Sequence, residues 1–332
     1  MSSLKISFKS ESYSLKDSFT ISRGAKKSAE VITVRISDHN HSGIGECAPN
    51  LRYGQTISGE LNKLQAMTQA LENSSNGFER VFINKFFSPS PARSAIDIAL
   101  WDLELKKMRE SIWSLNKIKK PDVLPTMITL DASSIENNLK TARIYIDCKI
   151  FKIKFKGDST DIDRLVKIRE QFPKKRLLID ANESISPSKI SEYINYCERF
   201  NVEVLEQPMR PEFDNLLSAI KTKTILCADE SCSSLKDIEA IEKYYDAVNI
   251  KLDKAGGLTE ALIMQESAIS KGMKTMSGCM LCTSIGIAAS QIIAAKADYI
   301  DHDAPLFLEQ DRRNKIDYSK GNMNIANSVL WG

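Results

Sequence analysis

Three successive apolar runs in this chain each stop on a carboxylate, and that rhythm constrains the fold more than anything else in the sequence. Arg176-Leu177-Leu178-Ile179 runs into Asp180, Val202 to Leu205 runs into Glu206, and Thr224 to Ala228 runs into Asp229. Asp180 and Glu206 are 26 residues apart, and Glu206 and Asp229 are 23 apart. Each step is the length of one strand plus its crossover helix. Pro208 bars the middle strand from continuing past Glu206. Parallel strands at such a step deliver their terminal carboxylates to one mouth. Acids brought that close resist ionising together. A divalent cation removes the conflict, and an all-oxygen donor set without His or Cys favours magnesium or manganese over zinc.

The same grammar extends on both sides. From Leu124 onward, candidate strands end near Leu130, Lys154, Ile179, Leu205, Ala228, Ile250, Met276 and Ile300. The segments between them carry helical patterns such as Ile162-Leu165-Val166-Ile168. Eight strands at a nearly constant step predict a closed (β/α)8 barrel with its chemistry at the C-terminal strand ends.

Before the barrel the pattern differs. Residues 3–48 alternate as β-strands, with Val31 to Ile36 the strongest run and Gly43 to Pro49 closing a hairpin. Ser18 to Lys27 reads as a basic loop, and Asn50 to Thr56 as a second loop. The period then turns helical, with Leu61, Leu64, Met67 and Leu71 on one face. Ala92 to Leu103 is a mostly apolar helix whose small residues predict close packing. The expected organisation is an α+β capping domain over residues 1–118, a barrel over 119–307, and a segment 308–332 that packs back on the capping domain.

Lys and Arg number 46 against 43 Asp and Glu, a balance that calls for neither nucleic acid nor an anionic membrane. No run approaches the roughly 20 apolar residues of a membrane span, and the N-terminus lacks the apolar core of a signal peptide. The seven cysteines are an odd number, mostly in apolar runs, which suits reduced thiols. Cys279 and Cys282 form a CxxC without a second pair for zinc or a redox context. A cytoplasmic homo-oligomer is the expectation.

Lysines flank the acids. Lys152 and Lys154, two apart, share a face of the second barrel strand, and Lys251 ends the sixth. In a ring, Lys154 and Lys251 then face each other across the mouth with the metal between and below. That arrangement suits removal of an α-proton by one amine and its return to the opposite face by the other. A free lysine, with a pKa of about 10.4, is a poor base. Positive charge from Lys152 and the metal would lower it, and the metal would stabilise the enediolate. At the eighth strand end, Asp301 and Asp303 share a face and lie beyond the metal acids, free to take a substrate ammonium group. His302 points the other way and receives no catalytic role.

These residues resemble the enolase superfamily, in its muconate-lactonizing-enzyme subgroup. Lys152-Ile153-Lys154 is similar to the KxK motif of that subgroup. Asp180-Ala181-Asn182, Glu206-Gln207-Pro208 and Asp229-Glu230-Ser231 resemble its three metal motifs, and Asn249-Ile250-Lys251 with Ala255-Gly256-Gly257 resembles its second-base motif. Gly45 to Pro49 and Ala95 to Leu103 resemble its capping-domain signatures. The resemblance implies a modified barrel with a cap completed by the C-terminal tail. It also implies Mg²⁺ on Asp180, Glu206 and Asp229, and acid/base lysines at 154 and 251. Asp301-His302-Asp303 is similar to the DxD motif by which dipeptide epimerases hold an N-terminal ammonium. The implied activity is therefore 1,1-proton transfer at the C-terminal residue of a dipeptide, most readily L-Ala-D/L-Glu from murein peptides. Arg23 matches the arginine that pairs with the glutamate side chain, and Lys152 would help bind the carboxylate. The alternative is another reaction of the subgroup: an o-succinylbenzoate synthase, a cycloisomerase or an N-acylamino-acid racemase. Two departures bear on specificity. Cys282 stands where relatives commonly carry a glutamate, which implies a different polar wall. Glu183-Ser184-Ile185 replaces a tryptophan-containing continuation.

Overall fold

The structure, a computed structural model, describes residues 4–72 and 79–332. Ser3, placed in the first strand by the sequence pattern, lies outside them. The first part of the chain is an antiparallel sheet of β1 (Lys5–Ile21), β2 (Gly24–Ser37) and β3 (Ser42–Cys47), followed by α1 (Ile57–Glu72), α2 (Arg80–Phe86), α3 (Pro91–Met108) and α4 (Ile112–Leu115). The short strand β4 (Val123–Pro125) leads into the barrel: β5 (Ile128–Leu130), α5 (Ile135–Ile144), β6 (Ile150–Lys154), α6 (Thr160–Gln171), β7 (Arg176–Asp180), α7 (Ile190–Arg199) and β8 (Val202–Glu206). It continues with β9 (Ile225–Ala228), α8 (Leu235–Ile241), β10 (Ala247–Ile250), α9 (Leu252–Ala255), α10 (Leu258–Ser270), β11 (Lys274–Gly278), α11 (Ser284–Ala294) and β12 (Tyr299–Asp301). The hairpin β13 (Tyr318–Ser319) and β14 (Asn322–Asn324) follows.

Strands β5 to β12 pair in parallel in chain order. The seam between first and last is joined by the Met127 amide donating to the Ile300 carbonyl at 3.0 Å. Two units depart from a regular (β/α)8 ring. A 3-10 helix, Pro211–Ala219, replaces the helix after β8. After β12 the chain makes a short 3-10 turn at Ala304–Phe307 and leaves the barrel. Alternation along each strand sorts the side chains. Ile150, Leu178, Val204, Ala247, Met276 and Tyr299 close the floor of the barrel, while Phe151, Ile153, Ile179 and Leu205 face the surrounding helices. Lys152 and Lys154 fall on the inner face, above that apolar floor.

The capping sheet packs on α3, and glycine makes the contact possible. A Cβ on Gly45 would meet the Ala95 carbonyl oxygen at 2.1 Å, and one on Gly43 would meet that of Ala99 at 2.1 Å. Small residues on both sides bring strand and helix backbones together. Ser18 to Lys27 is not a loop. Phe19 and Ile21 extend β1, the turn falls at Ser22-Arg23, and Gly24 at φ 130° begins β2. Alternation of apolar Phe19 and Ile21 continues the strand through residues whose charge suggested a loop.

The tail ties both parts together. Arg312 donates to Glu11, Thr33 and Glu46 of the cap, and the Gly332 amide donates to Asp102 at 2.8 Å. On the barrel side, Asp311 caps α11 through the Ser284 amide at 3.1 Å, and β14 pairs with β4.

Candidate active site

Lys154, Asp180 and Glu206 are direct neighbours in the registers of β6, β7 and β8. Lys152 lies one layer below, 1 % exposed. Its Nζ stands 2.6 Å from Asp301 Oδ2, 2.8 Å from Glu206 Oε2 and 3.0 Å from Asp180 Oδ2. Lys154 Nζ donates to Asp180 Oδ2 at 2.5 Å and to Asn182 Oδ1 at 3.2 Å. On the far side of the acids, Lys251 Nζ donates to Asp229 Oδ2 at 2.6 Å. Lys154 and Lys251 therefore flank the acids of β7, β8 and the end of β9. Asn249 donates to Glu206 Oε1 at 2.7 Å. Gln207 Oε1 takes the amides of Asp229 and Ser231 at 2.9 and 3.0 Å and fixes the turn that presents Asp229.

Lys254 was not anticipated. It sits one helical turn after Lys251, and that spacing was its only sequence signal. Its Nζ lies 2.6 Å from Asp229 Oδ1 and bonds the carbonyls of Asp229, Cys232 and Asn249. It holds Asp229 from behind.

Six carboxyl groups, those of Asp180, Glu206, Asp229, Glu230, Asp301 and Asp303, are buried together with Lys152, Lys251 and Lys254, and the partly exposed Lys154 joins them from the mouth. Burial alone would raise the Asp180 and Asp229 carboxyl pKa values, but the adjacent lysines outweigh it and hold both low. Glu206 is pushed up by burial and by the Asp180 charge. Burial and the charges of Asp229 and Asp180 bring Glu230 to about 7. Burial and Asp301 do the same to Asp303, also about 7. Burial tends to lower the amine pKa of Lys251, yet Asp229 and Glu206 win and keep it well above its ordinary value. The depressed amine expected from the sequence draws on the charge of a bound metal as well as that of Lys152, and the side chains alone do not supply it. In this charge balance the acids outnumber the cations around it.

Among the described residues, no group of three or more His, Cys, Asp and Glu side chains stands ready to hold a metal ion. Asp180 is drawn to Lys152 and Lys154, and Asp229 to Lys251 and Lys254. The donor chemistry nevertheless suits a hard dication. Asp301 Oδ1 is a buried oxygen with neither a hydrogen-bond donor nor a cation at pairing distance among the described residues, Glu206 Oε2 and Asp229 Oδ1 are met only by the ammonium groups of Lys152 and Lys254, and negative charge is in excess.

Asp301 and Asp303 both line the cavity over the site, but they are not free as expected. Asp301 Oδ2 is held by Lys152, and Asp303 Oδ2 accepts the Thr129 amide at 2.6 Å. Lys152 reaches Asp301 because the ring brings β12 close to β6, a neighbourhood invisible in chain order. His302 turns outward, with Nε2 2.9 Å from Ser277 Oγ and 3.2 Å from Ser290 Oγ.

The cavity measures about 460 Å³ and lies between the barrel mouth and the cap. Phe19, Ile21, Leu51 and Tyr53 roof it, and Lys154, Asp229 and Lys251 face it from below. Arg23, at the hairpin tip, lines it too. Its Nη1 donates to the Asn182 carbonyl at 3.0 Å and to Glu183 Oε2 at 3.2 Å, and its Nη2 to Glu230 Oε1 at 3.0 Å. Arg52 and Glu183 join this group and had no assigned role in the sequence. Cys282 does not reach the cavity; Cys279, Met280 and Leu281 form that wall.

Two family models match the chain: Enolase C-terminal domain-like over residues 137–328, and Mandelate racemase / muconate lactonizing enzyme, N-terminal domain, over residues 5–116. The chain belongs to the enolase superfamily, in the mandelate racemase/muconate lactonizing enzyme branch. It is similar to the L-Ala-D/L-Glu epimerase of Escherichia coli (strain K12), with 32% identity covering 95% of this chain and 98% of that protein. It is also similar to an N-acetyl-D-glutamate racemase of a Pseudoalteromonas species, with 31% identity over 91% and 95% of the two chains. Among solved structures it resembles an enolase family member from Agrobacterium tumefaciens with homology to dipeptide epimerases, bound to sodium and L-Ala-L-Glu. That match has a TM-score of 0.94 and 34% identity, covering 99% of this chain and 100% of that one.

Proposed function

We propose that the protein is a magnesium-dependent dipeptide epimerase. It inverts the α-carbon of the C-terminal residue, with L-Ala-D/L-Glu the preferred substrate. The observation that carries this reading is the placement of Lys154 and Lys251 on opposite sides of the acids of β7, β8 and β9. One amine takes the α-proton from one face, and the other returns a proton to the opposite face. Asp180, Glu206 and Asp229 would hold the metal, in keeping with the magnesium chemistry of the superfamily. When bound, it supplies positive charge that offsets these acids, lowers the pKa of the lysine amines and stabilises charge building on the substrate carboxylate. Lys152 adds a fixed positive charge below that carboxylate. Asp301 and Asp303 suit the substrate ammonium, and Asp301 Oδ1, buried without a donor, has an open acceptor position for it. Arg23 at the hairpin tip would read the second side chain. We place the enzyme in the cytoplasm, as a homo-oligomer in murein-peptide recycling. No helix among the described residues is long and apolar enough to cross a membrane.

The resemblance to an N-acetyl-D-glutamate racemase favours a second reading, in which an N-acyl group replaces the N-terminal residue. The ammonium separates the two. The protein is incubated with magnesium in D₂O and either L-Ala-L-Glu or N-acetyl-L-Glu, and the α-proton is followed by NMR. The dipeptide reading expects faster exchange and inversion of L-Ala-L-Glu. Faster turnover of N-acetyl-L-Glu would transfer the assignment to the racemase, and exchange of neither would remove both.

A further inference from the structure

Arg52 lies on the capping-domain loop after β3, and Glu183 on the barrel loop after β7. Their side chains meet in a bidentate pair. Arg52 Nε donates to Glu183 Oε2 at 2.5 Å, and Nη2 donates to Oε1. Arg23 Nη1 shares Oε2 at 3.2 Å, so two guanidinium groups rest on one carboxylate. The Glu183 side chain is 7 % exposed, against 32 % for Arg52 and 31 % for Arg23. Glu183 is fixed by its backbone, in the left-handed region at φ 69°, with its amide donating to the Gln207 carbonyl at 2.9 Å.

The arrangement has two sides. Arg23 and Arg52 both line the cavity above Lys154 and Lys251, while Glu183 does not. Glu183 lines the neighbouring cleft of about 710 Å³, and the two arginines stand between the two spaces, lining both. The carboxylate therefore holds the guanidinium groups from the cleft, and both arginines keep a place on the cavity wall. Arg23 has little left to give, because Glu230, Asn182 and Glu183 already occupy Nη1 and Nη2. Nη1 of Arg52 has no hydrogen-bond partner among the described residues. A bidentate guanidinium keeps donors on its remaining edge, and those donors suit a planar carboxylate.

We propose that Arg52, held in place by Glu183, is a second specificity-determining residue that binds the side-chain carboxylate of the substrate's C-terminal residue. The proposal rests on the epimerase reading and deepens it: Arg23 meets the second side chain with few donors left, and Arg52 adds the free edge that an acidic group needs. A purely structural role would be different: Arg52 would only neutralise Glu183 and strap the cap to the barrel.

The two roles separate with L-Ala-L-Glu and its uncharged isostere L-Ala-L-Gln as paired substrates. Arg52→Gln should lower the ratio of kcat/KM for the acidic over the amide dipeptide about 10- to 100-fold, the scale of one charge-assisted contact. The loss should appear in KM for the acidic substrate, and continued exchange of L-Ala-L-Gln reports that the fold and the lysines are intact. Arg52→Lys, which keeps the charge without the fork, should fall between. The double variant Arg52→Gln/Glu183→Gln removes the unpaired carboxylate as well, and should recover only part of the ratio. A ratio within about twofold of the parent in Arg52→Gln would overturn the proposal. So would full recovery in the double variant, since Arg52 would then serve only to neutralise Glu183. If the parent protein exchanges the α-proton of neither dipeptide, the epimerase reading itself fails and takes this one with it.

Discussion

Lys152 is the buried cation on which the charge balance of the barrel interior turns, and Lys152→Met removes it at nearly constant volume. Its ammonium serves Asp180, Glu206 and Asp301 at 3.0, 2.8 and 2.6 Å. After the change Asp180 keeps Lys154, but Glu206 and Asp301 retain no cation within pairing distance among the described residues. Deleting one partner of a buried pair costs about 3–5 kcal/mol. Two stranded carboxylates place this variant at the upper end, unless one of them takes a proton. Glu206 already has a raised pKa, so it is the group that will do so. A carboxyl whose folded pKa exceeds its unfolded value keeps its contribution below the unfolded pKa and loses it as pH rises. The deficit should therefore be small near pH 5 and grow toward pH 8. The assay is urea unfolding of parent and variant in EDTA at both pH values. Magnesium should then stabilise the variant more than the parent, because it supplies the missing positive charge. A variant within about 1 kcal/mol of the parent at pH 8 in EDTA, the scale of an exposed pair, would refute the reasoning.

Three further outcomes follow from the same structure. Asp301→Asn should raise KM for L-Ala-L-Glu about tenfold or more by weakening ammonium binding, whereas a cycloisomerase or synthase acting on an amine-free acid would be little affected. Gly45→Ala should destabilise the protein by about 3 kcal/mol or more, because the new methyl falls 2.1 Å from the Ala95 carbonyl; thermal unfolding reads this directly. Burial holds the His302 ring pKa near 4 against an ordinary 6.5. The unfolded chain then binds a proton that the folded one refuses between those values. Stability should fall by about 3 kcal/mol as pH drops from 6.5 to 4, and His302→Gln should flatten that slope in pH-dependent urea unfolding.

The barrel was legible because buried parallel strands are short apolar runs at a fixed step. The expected ends at Leu130, Lys154, Ala228 and Ile250 coincide with those of β5, β6, β9 and β10. The acids and lysines were legible for the same reason, each interrupting or ending such a run. Less could be read where partners are distant in the chain. Arg52 and Glu183 are separated by 131 residues, and Lys152 and Asp301 by 149. Neither pairing leaves a local pattern. The basic tip around Arg23 looked like a loop because charge masked the alternation of Phe19 and Ile21. The shape of the last barrel unit was hidden too, since a missing helix and a polar tail are alike in composition.

The most direct test of the central claim follows the α-proton in the two lysine variants separately. Lys154→Ala and Lys251→Ala are each incubated with L-Ala-L-Glu and with L-Ala-D-Glu in D₂O and magnesium, and exchange and inversion are read by NMR. Two amines on opposite faces predict that both variants lose inversion, and that each loses α-proton exchange from a different epimer. Loss of exchange from the same epimer in both variants, or inversion surviving in either, would contradict the account.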